Sequence, residues 1–334
     1  MTNPAYVTRE ALAAASDVKA SAYASAMLDR LCQTASRGVE RSLHRTFYPT
    51  IATKTWDLPP RGTLFTPDDL ISLTSMTLDA VAVTGATLGP TAYGAPYGFI
   101  DLDDATASSG SVIAVTGVWG YSSDTVAAGA LAAAITTTSA TTLTVTNAAL
   151  VGVGDQLLID SERLVVTGRA SATTSTTLNG DMTASAADTS LDVADGTKLN
   201  VGETVSVDSE RMLVLDIVSN LAIVKRAVDG TVLAAHTSGA TVYAQRLLTV
   251  ERANAGTTAA THLISAAITR NVAPSLITEL CLAEAQAMLG QEQAGWNLTV
   301  GTGENARESS GKSVYSLRKI VAAEYGRGRY SRVA

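Results

Sequence analysis

Two acidic stretches contain residues whose types and spacing could support acid–base catalysis. The run Asp-Ser-Glu-Arg occurs at 160–163 and again at 208–211. The candidate acid–base pairs are Asp160 with Glu162 and Asp208 with Glu210. Paired carboxylates can act as general acid and base, which would make the chain a hydrolase. Each run lies at the predicted bend of a β-hairpin, beside an arginine, with no histidine or apolar pocket evident. We therefore interpret these residues as turn residues with a local ion pair and predict no catalytic residue.

The sequence does not support a metal site or a phosphate-binding loop either. The chain has three histidines and two cysteines, which form no Cys/His cluster of the kind that binds zinc. They are His44, His236, His262, Cys32 and Cys281. His236 and His262 occupy equivalent positions of a repeat, as structural residues would, and the cysteines are predicted core residues of helices. Gly311-Lys312-Ser313 resembles the end of a phosphate-binding loop, but Ala306 stands where that motif requires glycine. We predict no metal, no cofactor and no enzymatic activity.

The elements that carry these residues begin with a helix. Apolar residues recur at three- and four-residue steps from Met27 to Leu43. Pro49 disfavours helical geometry at Tyr48, so we expect the helix to end near Thr46. Phe47, Tyr48 and Pro49 should then form a hydrophobic corner. A β-rich block follows, with strands predicted at 53–58, 70–78, 92–102 and 112–118. Trp119, between glycines at a strand end, is expected to be a packing anchor.

The middle of the chain contains two internal repeats. Residues 153–163 recur at 201–211 with an offset of 48, and residues 224–236 recur at 250–262 with an offset of 26. Such repetition predicts duplicated β units. After them the sequence returns to helix, with Pro274 suited to a first turn and Gly290 to a stop. A shorter helix is predicted at about 313–324, followed by a flexible tail. Its basic and aromatic residues are Tyr325, Arg327, Arg329, Tyr330 and Arg332.

Composition and charge exclude several classes of protein. Among 334 residues, 46% are hydrophobic and 16% charged, with a mean hydropathy of +0.18, which is unlike a disordered chain. The sequence contains no run of about 18 bulky apolar residues, so no membrane-spanning helix is predicted. The net charge is −7, and residues 62–162 contain ten acidic residues without one lysine or arginine. A general nucleic-acid binder would need the opposite sign. A Thr/Ala/Gly-rich β region that merely lacks bases explains the run, and the alternative is an acidic surface that repels polyanions or meets a basic partner.

The order of several motifs resembles the head–tail connector (adaptor) family of tailed bacteriophages. The motifs are Arg45-Thr46-Phe47-Tyr48-Pro49, Ala52-Thr53-Lys54-Thr55-Trp56-Asp57, Leu70-Ile71-Ser72-Leu73-Thr74-Ser75-Met76, Gly117-Val118-Trp119-Gly120-Tyr121 and the helix that follows Pro274. The resemblance covers about 1–125 and 264–334. The repeat region is similar to β insertions of larger actinobacteriophage adaptors. The resemblance implies an α+β fold, with 1–126 and 264–334 forming a helical core with a β block, and 127–263 an inserted all-β domain.

The resemblance also implies a structural function in the virion. Adaptors form a ring, expected here to be a dodecamer, below the portal protein. The ring extends the DNA channel and offers a docking surface to a stopper or tail-completion protein, without sequence-specific DNA binding or membrane contact. Assembly would take place in the host bacterial cytoplasm. The tail 325–332 is the candidate portal-binding segment, and Asp101, Asp103 and Asp104 are candidate channel-lining residues.

Three other functions remain open from the sequence. The chain could be a β-rich virion decoration or a receptor- or glycan-binding module, with its helices as a mount. It could be a hydrolase that uses Asp160 or Asp208. It could be a DNA-binding connector that uses Arg327, Arg329 and Arg332.

Overall fold

A computed structural model of the chain describes residues 2–16, 25–57, 64–65, 67–89, 96–102, 110–293, 299–300, 307–308 and 311–327. Within these ranges the fold is α+β, as the sequence predicts, with four helices and large antiparallel sheets. The helices are α1 (Arg9–Ala15), α2 (Ser25–Leu43), α3 (Ser275–Gln293) and α4 (Gly311–Tyr325). The strands before the repeat region are β1 (Thr50–Asp57), β2 (Leu64–Phe65), β3 (Leu70–Leu78), β4 (Val81–Ala82), β5 (Thr87–Leu88), β6 (Ile100–Asp101) and β7 (Val112–Trp119). The later strands are β8 (Thr125–Ala130), β9 (Thr142–Thr144), β10 (Gln156–Ile159), β11 (Glu162–Thr177), β12 (Ser190–Asp192), β13 (Thr204–Val207), β14 (Glu210–Val218), β15 (Leu221–Lys225), β16 (Thr241–Glu251), β17 (Ala267–Asn271), β18 (Thr299–Val300) and β19 (Arg307–Glu308).

Helices from the two ends of the sequence pack into one hydrophobic cluster. Leucine, alanine and valine side chains recur along one face of α2 at helical spacing, and this face is buried against α3. The buried residues of the cluster include Leu28, Leu31, Ala35 and Val39 from α2, Ile277, Leu280 and Ala285 from α3, and Val314 and Val321 from α4. Cys32 and Cys281 are free and buried in it, which confirms their prediction as core residues. Residues far apart in sequence therefore share one core, and neither end could bury its apolar face alone.

The helix α2 ends at Leu43, three residues before the predicted end at Thr46. His44 adopts a left-handed backbone conformation with φ of 54°. A residue in this conformation commonly terminates a helix, so the end is decided before the restriction imposed by Pro49 is reached. The chain then turns through Phe47 and Tyr48, both buried, into β1, as the predicted corner requires.

A four-stranded antiparallel sheet follows the corner, in the order β1-β7-β3-β4. β3 has the predicted bounds, and β1 and β7 lie within three residues of theirs. The strand predicted at 92–102 is wrong over its described part, because only Ile100–Asp101 is extended and paired there. Pro96 and Gly98 precede this strand. Proline has no backbone N–H to donate to a neighbouring strand, and glycine weakens a strand, so the strand is short.

The repeat region folds as a ten-stranded sheet that contains two similar modules. We define the first module as residues 125–169 with 247–271, and the second module as residues 170–246. Each module encloses its own hydrophobic cluster. The second module is inserted within the first, so the halves of the first module are separated in sequence but adjacent in space. The long strands β11 and β16 pair with each other and run through both modules, which makes the sheet continuous.

Equivalent positions in the two modules have equivalent partners. Val205 pairs with Ala244 in the second module as Leu157 pairs with Arg270 in the first. The offsets are those of the two sequence repeats, 48 on one side and 26 on the other. The predicted duplication is therefore present, and its geometry is nested. The sheet begins at Thr125 and ends at Asn271, so the predicted insertion 127–263 starts inside β8 and stops short of β17.

The later helices differ from prediction at their ends. α3 begins directly after Pro274, as predicted, but continues through Gly290 to Gln293. A glycine inside a helix costs about 1 kcal/mol relative to alanine, which a helix packed on both α2 and α4 tolerates. α4 starts two residues before the predicted helix and includes Tyr325, so this residue belongs to the helix and not to the tail.

The N-terminal segment and β1 are joined to the first module by backbone hydrogen bonds. Ala5 N–H donates to the Gly154 carbonyl at 2.9 Å, and Ile51 N–H donates to the Ala255 carbonyl at 2.9 Å. Gly256, with φ of +78°, lies so close to β1 that an added Cβ would approach the Ile51 carbonyl oxygen to 2.0 Å. The close approach at Gly256 thus requires glycine and fixes the module against the corner strand.

Candidate functional site

The first Asp-Ser-Glu-Arg run belongs to a buried cluster of charged side chains. β10 and β11 form a tight hairpin in which Ile159 pairs with Glu162, and Asp160 occupies the turn with φ of 53°. Glu162 is fully buried at the start of β11, whereas the Asp160 side chain is 66% exposed. His262, also buried, lies between them: Nδ1 is 2.7 Å from Asp160 Oδ2 and Nε2 is 2.9 Å from Glu162 Oε2.

Arg252 completes this arrangement, which we call the first ion cluster (Asp160, Glu162, Arg252 and His262). Its Nε and Nη2 donate to the two oxygens of Glu162 at 2.7 and 2.6 Å, a bidentate pair. The same guanidinium also donates to the carbonyls of Ala140 and Ala260. The backbone N–H groups of Ala253 and Ala260 donate to Glu162 at 3.0 Å each. The cluster therefore holds the hairpin against the chain segment that returns some ninety residues later.

The second module repeats this geometry in the second ion cluster (Asp208, Glu210, Arg226 and His236). Arg226 donates to both oxygens of Glu210 at 2.7 Å. His236 lies 2.8 Å from Asp208 and 3.0 Å from Glu210. The backbone N–H groups of Ala227 and Ala234 again donate to the glutamate. Eight residues in two sets thus adopt one arrangement, which the offsets of 48 and 26 bring together.

These residues differ in three respects from what the sequence predicts. The arginine that pairs with Glu162 is Arg252, and not the adjacent Arg163. The histidine judged absent is His262, supplied by the other repeat. Glu162 and Glu210 begin strands and are buried, whereas only the aspartates lie on the turns. The signal that could have predicted this was the order of the repeats along the chain. Two outer segments that enclose two inner segments indicate a nested module, whose Arg–His half must face its Asp–Glu half.

The electrostatics of the clusters favour a structural role over catalysis. Burial opposes ionisation of Glu162, but hydrogen bonds from Arg252, Ala260 N–H, His262 and Ala253 N–H outweigh burial and lower its pKa to about 2. The balance at Glu210 is the same, with its pKa lowered to about 2 despite burial, through Arg226, Ala234 N–H, His236 and Ala227 N–H. A general base at neutral pH needs a pKa near the working pH and a free lone pair. Neither glutamate offers them.

The residues of the two ion clusters are also unsuited to binding a metal ion. Across the described ranges, no group of three or more His, Cys, Asp or Glu side chains is arranged to hold a metal ion. The oxygens of Glu162 and Glu210 already accept hydrogen bonds from arginine, whose positive charge would repel a cation.

None of the helices in the described residues is long and apolar enough to cross a membrane.

Acid is expected to weaken the fold through the two cluster glutamates. Their folded pKa of about 2 lies below the ordinary 4.5, so their ionised form stabilises the fold fully above about pH 4.5. This stabilisation is lost progressively as the pH falls from about 4.5 towards 2. Urea unfolding at several pH values in that window should show a decreasing free energy of unfolding. The double variant Glu162→Gln/Glu210→Gln should show a flatter dependence, and equal slopes for variant and parent would contradict the assignment.

The carboxyl of Asp155 also titrates near this pH window, and its effect has to be distinguished from that of the two glutamates. Burial raises its pKa to about 6, despite Arg270 and the Gly152 N–H. A raised carboxyl pKa works in the opposite direction: its protonation favours the fold as the pH falls from about 6 to 4. The contribution of Asp155 to stability therefore changes between about pH 6 and 4, whereas the contribution of the two glutamates changes between about pH 4.5 and 2.

The predicted structural corner is an aromatic cluster around Phe47. The Phe47 ring is fully buried, with ring centroids of Tyr6, Tyr121 and Tyr325 at 5.7, 5.5 and 5.9 Å. Tyr6 Oη also accepts a hydrogen bond from Phe47 N–H at 2.8 Å. The residues of this cluster come from the N-terminal segment, the turn between α2 and β1, the chain after β7 and the end of α4. The motifs at 45–49 and 117–121 therefore meet in space.

Trp119 behaves as the predicted packing anchor. It is 3% exposed, its Nε1–H donates to the Ala52 carbonyl at 2.8 Å, and its ring lies 5.5 Å from that of Trp56. Pro49, before β1, is buried in the same region.

The candidate portal-binding tail is only partly within the described residues. Arg329, Tyr330 and Arg332 lie outside them. Tyr325 packs against Phe47 and Tyr121, and Arg327 donates from Nη2 to the Pro67 carbonyl at 2.7 Å. These two residues therefore contact the core, unlike the free tail that the sequence suggests. Of the candidate channel residues, Asp101 is half-buried in β6, and Asp103 and Asp104 lie outside the described ranges.

Comparison of the chain with protein-family models, with curated proteins and with solved structures finds no match in any of the three. A function for this chain is therefore supported by its own geometry and by the order of its motifs.

Proposed function

We propose that this protein is a structural head-to-tail adaptor of a tailed bacteriophage, which forms a ring below the portal and extends the DNA channel. The observation that supports this most directly is the single hydrophobic cluster built by α1, α2, α3 and α4 from both chain ends. An adaptor of the family that the motifs resemble needs such a core, with the β domain inserted between its halves. The saturated ion clusters fit a protein whose folding energy maintains shape, because they leave no group free for turnover.

The proposed ring places different demands on the two parts of the chain. The helical core would contact neighbouring subunits and the portal, and the lower face would receive a stopper or tail-completion protein. The two-module sheet would lie at the periphery, where it could brace neighbours or contact the capsid. Asp101, Asp103 and Asp104 would line the channel, since a wall of like charge eases the passage of DNA. A neck structure with all three on the outer rim would exclude this last assignment.

Imaging of the virion tests the adaptor function directly. Electron microscopy of the neck should show the chain as a ring between portal and tail, with helices from both ends in one body. Density for the chain at the capsid surface or the tail tip would instead favour a decoration or receptor-binding module. Light scattering of the pure protein, with and without portal, should show whether the ring forms alone or only on its partner.

Removing the last seven residues is expected to abolish portal binding without unfolding the core. The deletion should start at residue 328, because Tyr325 and Arg327 contribute to core packing. It removes Arg329, Tyr330 and Arg332, whose guanidinium forks and aromatic ring are suited to anchor an interface. Pull-down with portal measures binding, and circular dichroism checks the fold.

A shorter deletion supplies the control for this experiment. Removing Val333 and Ala334 alone should leave portal binding intact, because the basic and aromatic residues remain. Full portal binding by the chain that ends at Arg327 would refute the role of the tail.

A further inference from the structure

An open cleft of about 620 Å³ lies where the end of α2 meets the four-stranded sheet. It is separate from both ion clusters. Five basic residues line it: Arg37, Arg41, Arg45, Lys54 and Arg327. Tyr48 and Trp119 contribute aromatic surface to the same walls. The cleft is thus a concentration of positive charge on a protein whose net charge is negative.

Three of the five cations already have close partners. Lys54 Nζ lies 2.9 Å from Asp68, Arg37 Nη1 lies 2.9 Å from Glu40, and Arg327 Nη1 lies 3.4 Å from Asp68. The charges of these residues are thereby compensated within the chain.

Arg41 and Arg45 are different. Arg41 is exposed and has neither a hydrogen bond nor an ion pair from its side chain within the described residues. Arg45, 20% exposed, has weaker partners: its Nη1 lies 3.7 Å from Asp69, and its guanidinium carbon lies 5.0 Å from the centre of the Tyr121 ring. Its Nε is buried without a hydrogen-bond partner, as is that of Arg37. An external ligand would therefore contact Arg41 and the exposed part of the Arg45 side chain.

The spacing of the arginines adds a direction to this site. Arg37 and Arg41 are four residues apart on α2, so they share one face of the helix, and Arg45 follows after a further four residues, just beyond the helix end. All three line the cleft. Guanidinium groups bind carboxylates in a bidentate geometry, so a row of them suits a ligand with several carboxylates along its length.

The walls of the cleft disfavour nucleic acid as that ligand. Glu40, Asp68 and Asp69 also line it, and the Asp68 side chain is 54% exposed. Duplex DNA carries about one charge per 1.7 Å, so it would bring phosphates against these carboxylates. An acidic peptide spaces its carboxylates with amide groups, whose N–H donors could face Asp68 instead.

We propose that this cleft binds an acidic segment of a protein partner, whose Asp or Glu carboxylates pair with Arg41 and Arg45. The site lies on the helical core, on the face where the corner, β1 and the end of the described chain come together. It requires neither a ring nor a portal, so it stands or falls independently of the adaptor function.

Binding of a labelled peptide tests the proposal on the full chain. The probe is a fluorescein-labelled peptide of about eight residues with several aspartates, compared by anisotropy with its asparagine counterpart at low ionic strength. The aspartate peptide should bind and the asparagine peptide should not. Arg41→Gln should weaken binding about tenfold, because it removes one charge-assisted pair. Arg41 is exposed and has no side-chain partner among the described residues, so its replacement should leave the fold unchanged.

Arg30→Gln is the matched control. Arg30 is on the same helix, is 58% exposed and pairs with Glu292 away from the cleft. This variant removes the same charge and should bind within about twofold of the parent. Equal weakening by both variants, equal affinity for the two peptides, no binding of the aspartate peptide, or tighter binding of a short DNA duplex would each overturn the proposal.

Discussion

Replacing Glu162 by alanine is expected to lower the free energy of unfolding by about 3–5 kcal/mol. The variant leaves the Arg252 guanidinium, whose side chain is 7% exposed, without its carboxylate. It also leaves His262 Nε2 and the backbone N–H groups of Ala253 and Ala260 without their acceptor, while His262 Nδ1 keeps its contact with Asp160. A buried charge that loses its partner keeps the full cost of its desolvation, which is why the loss exceeds the worth of an ordinary hydrogen bond. Urea unfolding followed by circular dichroism measures the effect.

Asp160 provides the control for that experiment. Its side chain belongs to the same cluster and contacts the same histidine, but it is 66% exposed. Asp160→Asn should therefore cost less than about 1 kcal/mol. Because the second ion cluster repeats the geometry, Glu210→Ala should cost an amount similar to Glu162→Ala. A loss below about 1 kcal/mol for both glutamate variants would show that the clusters do not hold the modules together.

Replacing Phe47 by alanine is expected to cost about 3–5 kcal/mol and to loosen the C-terminal helix. The ring is fully buried and contacts three tyrosines from three different parts of the chain. Its removal leaves a cavity at the point where the end of α4 is held against the end of α2. Urea unfolding measures the stability loss, and hydrogen exchange of α4 should show increased opening of this helix before the rest of the core.

An exposed aromatic residue on α4 serves as the comparison. Tyr315 is 57% exposed, so Tyr315→Ala should change the free energy of unfolding by no more than about 0.5 kcal/mol. If Phe47→Ala were equally mild, the corner would not be the element that joins the two ends of the chain.

Local features of this protein were predictable where a local cause decides them. The bounds of β3 follow from its flanking turns, and the start of α3 follows from Pro274. Trp119 was recognisable as an anchor from its position between glycines at a strand end. Where tertiary contacts compete with local preference, prediction failed. α3 passes through Gly290 because packing against α2 and α4 outweighs the glycine penalty, and α2 stops early because His44 takes a left-handed conformation.

The site residues divide in the same way. The repeats identified the Asp-Ser-Glu-Arg runs as members of β-hairpins, since turn chemistry and strand alternation are local signals. The partners of the buried glutamates were not predictable from their neighbours, because Arg252 and His262 follow Glu162 by 90 and 100 residues. The basic cleft likewise depends on walls formed by chain segments distant in sequence.

By itself the sequence determined the α+β class, the helical segments towards both chain ends, the hairpins and the duplication, because hydrophobic period and turn residues act over a few residues and the repeats are visible in the sequence. The tertiary structure alone decided that each cluster glutamate is neutralised by an arginine distant in sequence, and that basic side chains from α2, β1 and the end of the described chain line one cleft beside the corner. These features are sums of desolvation and charge over segments far apart in the chain, and no local pattern encodes them.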